Sequence, residues 1–143
     1  MKDLVQFHAE NKLLLMASSQ RGLRIMGQTV ANHDKRSAEQ AFMEYENHLA
    51  NALNCSPKHE SNINVMMHAF GYFSKDLSSK EKAFFLNSFE EYRREQVPLS
   101  VPLEILRSSI IRFEVDYLWR QTFFSPYPVD LVKITDSGKG RSC

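Results

Sequence analysis

Apolar positions recur at helical spacing over nearly the whole chain, and they alternate at strand spacing nowhere useful before residue 129. The pattern predicts helices at about 3–17, 20–33, 38–54, 62–74, 79–95, 101–112 and 114–124. Start signals support three of them. "DLVQ" (Asp3, Gln6), "SAEQ" (Ser37, Gln40) and "SSKE" (Ser78, Glu81) each set a capping side chain three residues before a Glu or Gln that can bond back. In "VPLSVP", Pro98 breaks one helix and Pro102 suits the first turn of the next. The expectation is an all-α, single-domain bundle of about six to seven helices, joined by short connections that favour antiparallel neighbours. The domain is expected to cover residues 1–132. "SPYPVDLV" (125–132) reads as an extended wrap and 133–143 as a disordered polar tail.

The faces of three helices carry the candidate chemistry. In the first, Leu4, Val5, Phe7, Leu13, Leu14, Leu15 and Met16 surround almost the whole axis, which predicts a central position. His8 and Lys12 lie one turn apart along one side of it. A lysine near a bundle interior must pair, snorkel to water or lose its charge. In the second, Leu23, Met26 and Val30 form an apolar stripe and Gly27 permits close packing. Arg21, Arg24, Gln28 and Asn32 line the opposite face, followed by Lys35 and Arg36. Such a basic strip either tracks a phosphate backbone or is a solvated helix face.

The segment 59–73, "HESNINVMMHAFGYF", holds two histidines and two asparagines in what otherwise reads as core. At 100° per residue, Ile63, Met66, Met67, Phe70 and Phe73 share the inner side. Asn64, His68, Gly71 and Tyr72 share the other, with Gly71 leaving room for a ligand or a neighbouring backbone. If His8 and Lys12 meet Asn64 and His68 in one cleft, the set is a cationic, hydrogen-bonding pocket suited to phosphate or a base edge. The alternative is that Asn64 and His68 satisfy a neighbouring helix end.

Composition narrows the partners. Hydrophobic residues make up 43% and charged residues 24% of 143, so the chain folds rather than remaining disordered. A formal net charge of +1 supplies no global attraction to nucleic acid or anionic lipid, and any such binding must be local. Residues 1–36 carry six basic and three acidic groups, whereas 37–60 carry one and four. Neither a signal-type apolar stretch nor a membrane-length span is present, so a cytoplasmic protein without membrane insertion is expected. Cys55 and Cys143 do not make a disulfide framework, and reduced thiols are expected.

Catalytic motifs are weak. The spacing of Cys55, His59 and His68 matches no zinc pattern, and no Gly-rich phosphate loop or nucleophile elbow occurs. Cys55 and His59 stand one turn apart in a turn near Pro57, which does not make a thiolate pair. No metal and no cofactor are expected.

Five segments in order, "FHAENKLLLMA", "MGQTVAN", "NINVMMHAFGYFSKDLSSKEK", "YRREQVPLSVPLEILR" and "YLWRQTFFSPYP", resemble the YbgA-like family of bacterial and archaeal domains. The likeness spans residues 4–132. Members of that family stand alone or are joined to a cysteine-rich module that removes sulfur from thiouracil-type bases. The resemblance implies an accessory, RNA-directed role in which the iron–sulfur chemistry belongs to the other module and the helical part positions thiolated tRNA. This chain lacks the module's cysteines and resembles the stand-alone form. His8, Lys12, Asn64, His68, Gly71 and Tyr72 fit the family pattern. Ser18 stands where that pattern commonly has a histidine, which weighs against catalysis.

Two function classes follow. One is a binding module in which Arg21, Arg24, Gln28, Asn32 and Lys35 contact RNA phosphates while His8, Lys12, Asn64, His68 and Tyr72 receive a nucleotide. The other is a small enzyme with His68 as general acid or base and Lys12 as a charge clamp. A protein-interaction domain with its polar groups satisfied internally is a third possibility. Binding is favoured because no nucleophile or metal completes a reaction centre.

The metal expectation is directly testable. The purified protein should carry no stoichiometric zinc or iron by elemental analysis. About one metal per chain, lost on replacing Cys55 or His59, would overturn that reading.

Overall fold

Two of the three expected capping boxes form. Ser37 accepts from the Gln40 amide and Gln40 bonds back, and Ser78 does the same with Glu81. Asp3 caps nothing: the first helix starts at Lys2, and Gln6 instead donates to Glu10 at 2.8 Å. Ser19 caps a helix start that no Glu or Gln signalled, accepting from the Gly22 amide at 3.0 Å.

The computed structural model describes residues 1–124, which are all-α. Eight α-helices are present among them: α1 Lys2–Glu10, α2 Lys12–Ser18, α3 Gln20–Ala31, α4 Ala38–Leu53, α5 His59–Phe70, α6 Ser79–Arg93, α7 Ser100–Arg112 and α8 Asp116–Trp119. Short 3₁₀ turns cover His33–Lys35, Ser74–Asp76 and Thr122–Phe124. Pro102 is buried in the first turn of α7, as its missing donor allows. The wrap expected over 125–132 and the tail expected over 133–143 lie outside the described residues. So does Cys143. Cys55 is disulfide-bonded rather than a free thiol, which corrects the expectation of reduced thiols.

Helix 3–17 is two helices. Leu13 N–H, which would bond Ala9 C=O in an unbroken helix, instead donates to Gln121 Oε1 at 3.0 Å. Gln121 Nε2 donates to Ala9 C=O at 2.7 Å. One carboxamide has therefore been inserted into a single rung of the helical ladder, a recognised cause of a sharp break. Asn11 occupies the break with φ −105° and ψ 8°, and its side chain donates to Phe7 C=O and accepts from Thr122 Oγ1 at 2.6 Å.

The break gives the two halves different environments, which corrects the expectation that the whole helix is central. In α1 only Leu4 is buried, and Val5 and Phe7 are 45% and 44% exposed. Leu13, Leu15 and Ala17 of α2 are fully enclosed. Leu13 and Ala17 join the larger core, with Met66, Phe70, Phe73, Phe85, Phe89, Leu106, Ile110 and Leu118. Leu15 joins a smaller one, with Leu4, Met26, Tyr45 and Ala52. Gly22 lets α3 and α4 approach, since a Cβ there would stand 3.0 Å from the Ala52 Cβ.

Helices expected at 79–95 and 114–124 end or begin elsewhere because Glu95 and Glu114 adopt left-handed φ of 60° and 52°. Each is followed by an amide that reaches back five residues, Gln96 N–H to Glu91 C=O and Val115 N–H to Ile110 C=O. These are helix-terminating turns usually made with glycine.

Removing the inserted carboxamide should be costly. Gln121→Ala strands a buried Leu13 amide and the Ala9 carbonyl, and an unsatisfied buried group costs about 1–3 kcal/mol. A lower urea midpoint with an unchanged slope is expected. Amide exchange should accelerate first in α1, whereas uniform acceleration through α5–α7 would contradict a local role for Gln121.

Candidate functional site

α3 contains no acidic residue, and its buried side is set by Met26 and Thr29. Arg21, Arg24 and Gln28 therefore face water, and neither arginine has an ion-pair partner among the described residues. The arginines of α6 and α7 behave differently: Arg93 meets Glu90, Arg107 meets Glu104, and Arg112 meets Glu81 at 2.6 Å across the two helices. Arg94, just beyond α6, also reaches Glu90. Lys35 is exposed and unpaired among the described residues, while Arg36 is engaged by Glu44. Asn32 is turned to structural use, its amide donating to Gln28 C=O at 2.9 Å at the end of α3.

His8 joins this surface rather than α5. Its Nδ1 lies 2.9 Å from the Tyr45 hydroxyl of α4, and its ring packs edge-on against the Tyr45 ring. Its Nε2 overlies Gly27 of α3, where an added Cβ would stand 3.6 Å away, an ordinary contact distance. Tyr45 is buried, and that burial pushes its pKa up to about 12. At neutral pH the hydroxyl keeps its proton, so we assign Tyr45 as donor and His8 as the neutral Nε2–H tautomer. Burial, and secondarily the charge of Lys12, hold the His8 pKa below its ordinary value. Lys12 thus acts on His8 electrostatically while itself remaining exposed.

The outer line of α5 is a separate group. Asn64, His68 and Tyr72 are exposed, one turn apart, and no side-chain hydrogen bond engages any of them among the described residues. No hydrogen bond, ion pair or ring contact among the described residues joins His8 or Lys12 to this line. The structure thus shows no direct contact, among the described residues, between the two groups that the sequence placed together. Gly71, also exposed, would place a Cβ only against carbonyls of its own helix, so it makes no room for a neighbouring element.

The inner face of α5 is rotated from the expected one. Asn62, Val65, Met66, Ala69 and Phe70 are buried, Ile63 is half-buried, and Met67 is 41% exposed. The structural asparagine of the segment is Asn62, which donates to the Tyr92 hydroxyl at 2.9 Å. His59 packs on the same tyrosine, ring centroids 4.7 Å apart, with Nε2 3.9 Å from Glu95. Among the described residues no three His, Cys, Asp or Glu side chains converge as metal ligands. No described helix is long and apolar enough to cross a membrane.

Three residues with clear roles escaped the sequence reading: Tyr45, Gln121, and Tyr117, which stacks on Tyr72. Tyr45 carried a signal, because it repeats one turn after Ala41 and faces inward among small residues. Tyr117 and Gln121 had none, since their partners lie 45 and 108 residues away by number.

A family described as "Protein of unknown function (DUF1722)" matches residues 12–128. "Uncharacterized protein YbgA" of Escherichia coli (strain K12) is 27% identical over 126 residues, which cover 87% of this chain and 75% of that protein. No solved structure matches.

The depressed His8 pKa has a definite stability signature. Above pH 6.5 the folded and unfolded histidines are both neutral and the effect vanishes. On acidification the unfolded chain takes the proton first, so stability falls from about pH 6.5 down to the lowered folded value and is flat below it. Urea unfolding at pH 7.5 and 5 should show the wild type losing more stability than His8→Gln. Equal losses would mean that His8 is not held neutral by its site.

Proposed function

The chain belongs to the YbgA-like family of unknown function, DUF1722, and from that footing we propose that it is an accessory RNA-binding domain without its own redox centre. The RNA is transfer RNA, met in the cytoplasm, and any sulfur chemistry on it is supplied by a separate desulfurase-type module. The observation that carries the reading is the α3 surface, where Arg21 and Arg24 are exposed and unpaired among the described residues on a helix without a carboxylate. Lys35 extends the surface at one end, and His8 borders it at Gly27, with Lys12 acting on His8. A guanidinium already held by a carboxylate must break that bond to reach a phosphate. These two have no such cost.

Gln28 is an amide on this surface open to a base or sugar, Asn32 being committed to the helix end. The footprint is small, about three to five phosphates, in keeping with the near-neutral chain. Binding of this kind positions RNA without reading its sequence.

The test is tRNA affinity across a salt series. Arg21→Glu with Arg24→Glu should weaken all RNAs alike and reduce the slope of log affinity on log salt by about 0.7–0.9 for each phosphate that is no longer neutralised. An unchanged slope would remove the α3 surface from the interface. Absence of binding by the wild type even at low salt would refute the RNA reading altogether.

A further inference from the structure

We propose that the outer line of α5, together with Tyr117 of α8, is a stacking site for one unpaired RNA base. This inference rests on the RNA-binding reading and adds to it the part of the ligand that the α3 surface does not address. Tyr72 and Tyr117 stack with ring centroids 5.6 Å apart and planes 23° from parallel. They remain 46% and 38% exposed, so the pair is a two-ring platform at the surface rather than part of a core. His68 packs edge-on against Tyr72 at 6.5 Å, bordering the platform with an imidazole. Trp119, the chain's single tryptophan, is 55% exposed two residues beyond Tyr117.

The chemistry of the line selects the occupant. Asn64 and His68 offer an amide and an imidazole with no side-chain hydrogen bond among the described residues. Those are the groups that read a base edge, and the tyrosine faces take its plane. Exposed Glu60 continues the α5 line by one turn and exposed Asp116 directly precedes Tyr117, while exposed Arg120 closes α8, so this surface is not the all-basic face that α3 presents. A flat ring with hydrogen-bonding edges suits the stacked tyrosines and the amide and imidazole beside them. The platform also spans two elements. Tyr72 follows the end of α5 and Tyr117 sits on α8, so its geometry depends on the turn that Glu114 makes between α7 and α8.

The experiment compares two probes of equal length and charge: a ten-nucleotide oligouridylate, and the same ribose–phosphate chain without bases. Wild type should bind the first about 10-fold more tightly. Tyr117→Ala should bring the two affinities together, whereas Tyr117→Phe, which keeps the ring, should preserve the preference. Arg21→Glu with Arg24→Glu should weaken both probes equally and leave the ratio intact. Unchanged urea midpoints establish that the variants are folded, and His68→Ala, at an exposed position, is a second variant that should lower the ratio. Equal affinity of wild type for both probes, or a ratio untouched by Tyr117→Ala, overturns the stacking site while leaving the phosphate surface standing. Binding of neither probe, nor of tRNA, at low salt overturns both.

Discussion

A single carboxamide decides how the first eighteen residues are used. An unbroken helix over this stretch would be apolar nearly all round, and its side chains would need one continuous envelope of protein. Gln121 removes that requirement by taking both ends of the Ala9–Leu13 hydrogen bond, so that two short helices leave the same point in different directions. The backbone loses nothing, since the donor and acceptor given up by the helix are both satisfied by the side chain. Gln121 is 3% exposed, and an amide buried that deeply is tolerable only because both its ends are paired.

From that break the two cores follow. α2 faces both of them, with Leu13 and Ala17 on one side and Leu15 on the other. The larger core is built on aromatic contacts among Phe70, Phe73, Phe85 and Phe89, with ring centroids 5.2–6.4 Å apart. The smaller one is closed by Tyr45, whose hydroxyl needs an acceptor where water does not reach. His8 is that acceptor. A residue whose type invites a catalytic interpretation is thus explained first by a hydroxyl that must be paired, and its neutral state is a result of that burial rather than preparation for chemistry.

The helix periodicity, the two serine capping boxes, the restart at Pro102 and the exposed basic face of α3 were legible in the sequence, because each depends on residues within one or two turns. What was not legible depends on distant partners or on unusual backbone. The break at Asn11 is written at Gln121, and no local signal distinguishes that glutamine from any other. Glu95 and Glu114 take a conformation that costs a non-glycine residue about 1 kcal/mol, so turns that glycine would have announced were hidden. The partners of the two candidate histidines were hidden for a similar reason. His8 and His68 each lie on the polar side of a helix, and helical spacing alone says nothing about which two polar sides meet.

Net charge is a poor guide to the surface for the same reason. The chain carries 18 basic and 17 acidic groups, yet they are not spread evenly. In and just after α6 and α7, carboxylates and guanidiniums pair at 2.6–3.0 Å, and each such pair nearly cancels its own field beyond a few ångströms. In α3 no carboxylate is available to cancel anything. Fields from exposed charges decay over about 8–10 Å at physiological salt, so a ligand seated on α3 itself senses Arg21 and Arg24 first. Along α5 and α8 charges of both signs, Glu60 and Asp116 with Lys58 and Arg120, flank uncharged amide and aromatic groups. The two surfaces thus differ in what they can attract, and on the RNA-binding proposal the first takes the charged part of the nucleic acid and the second its flat part.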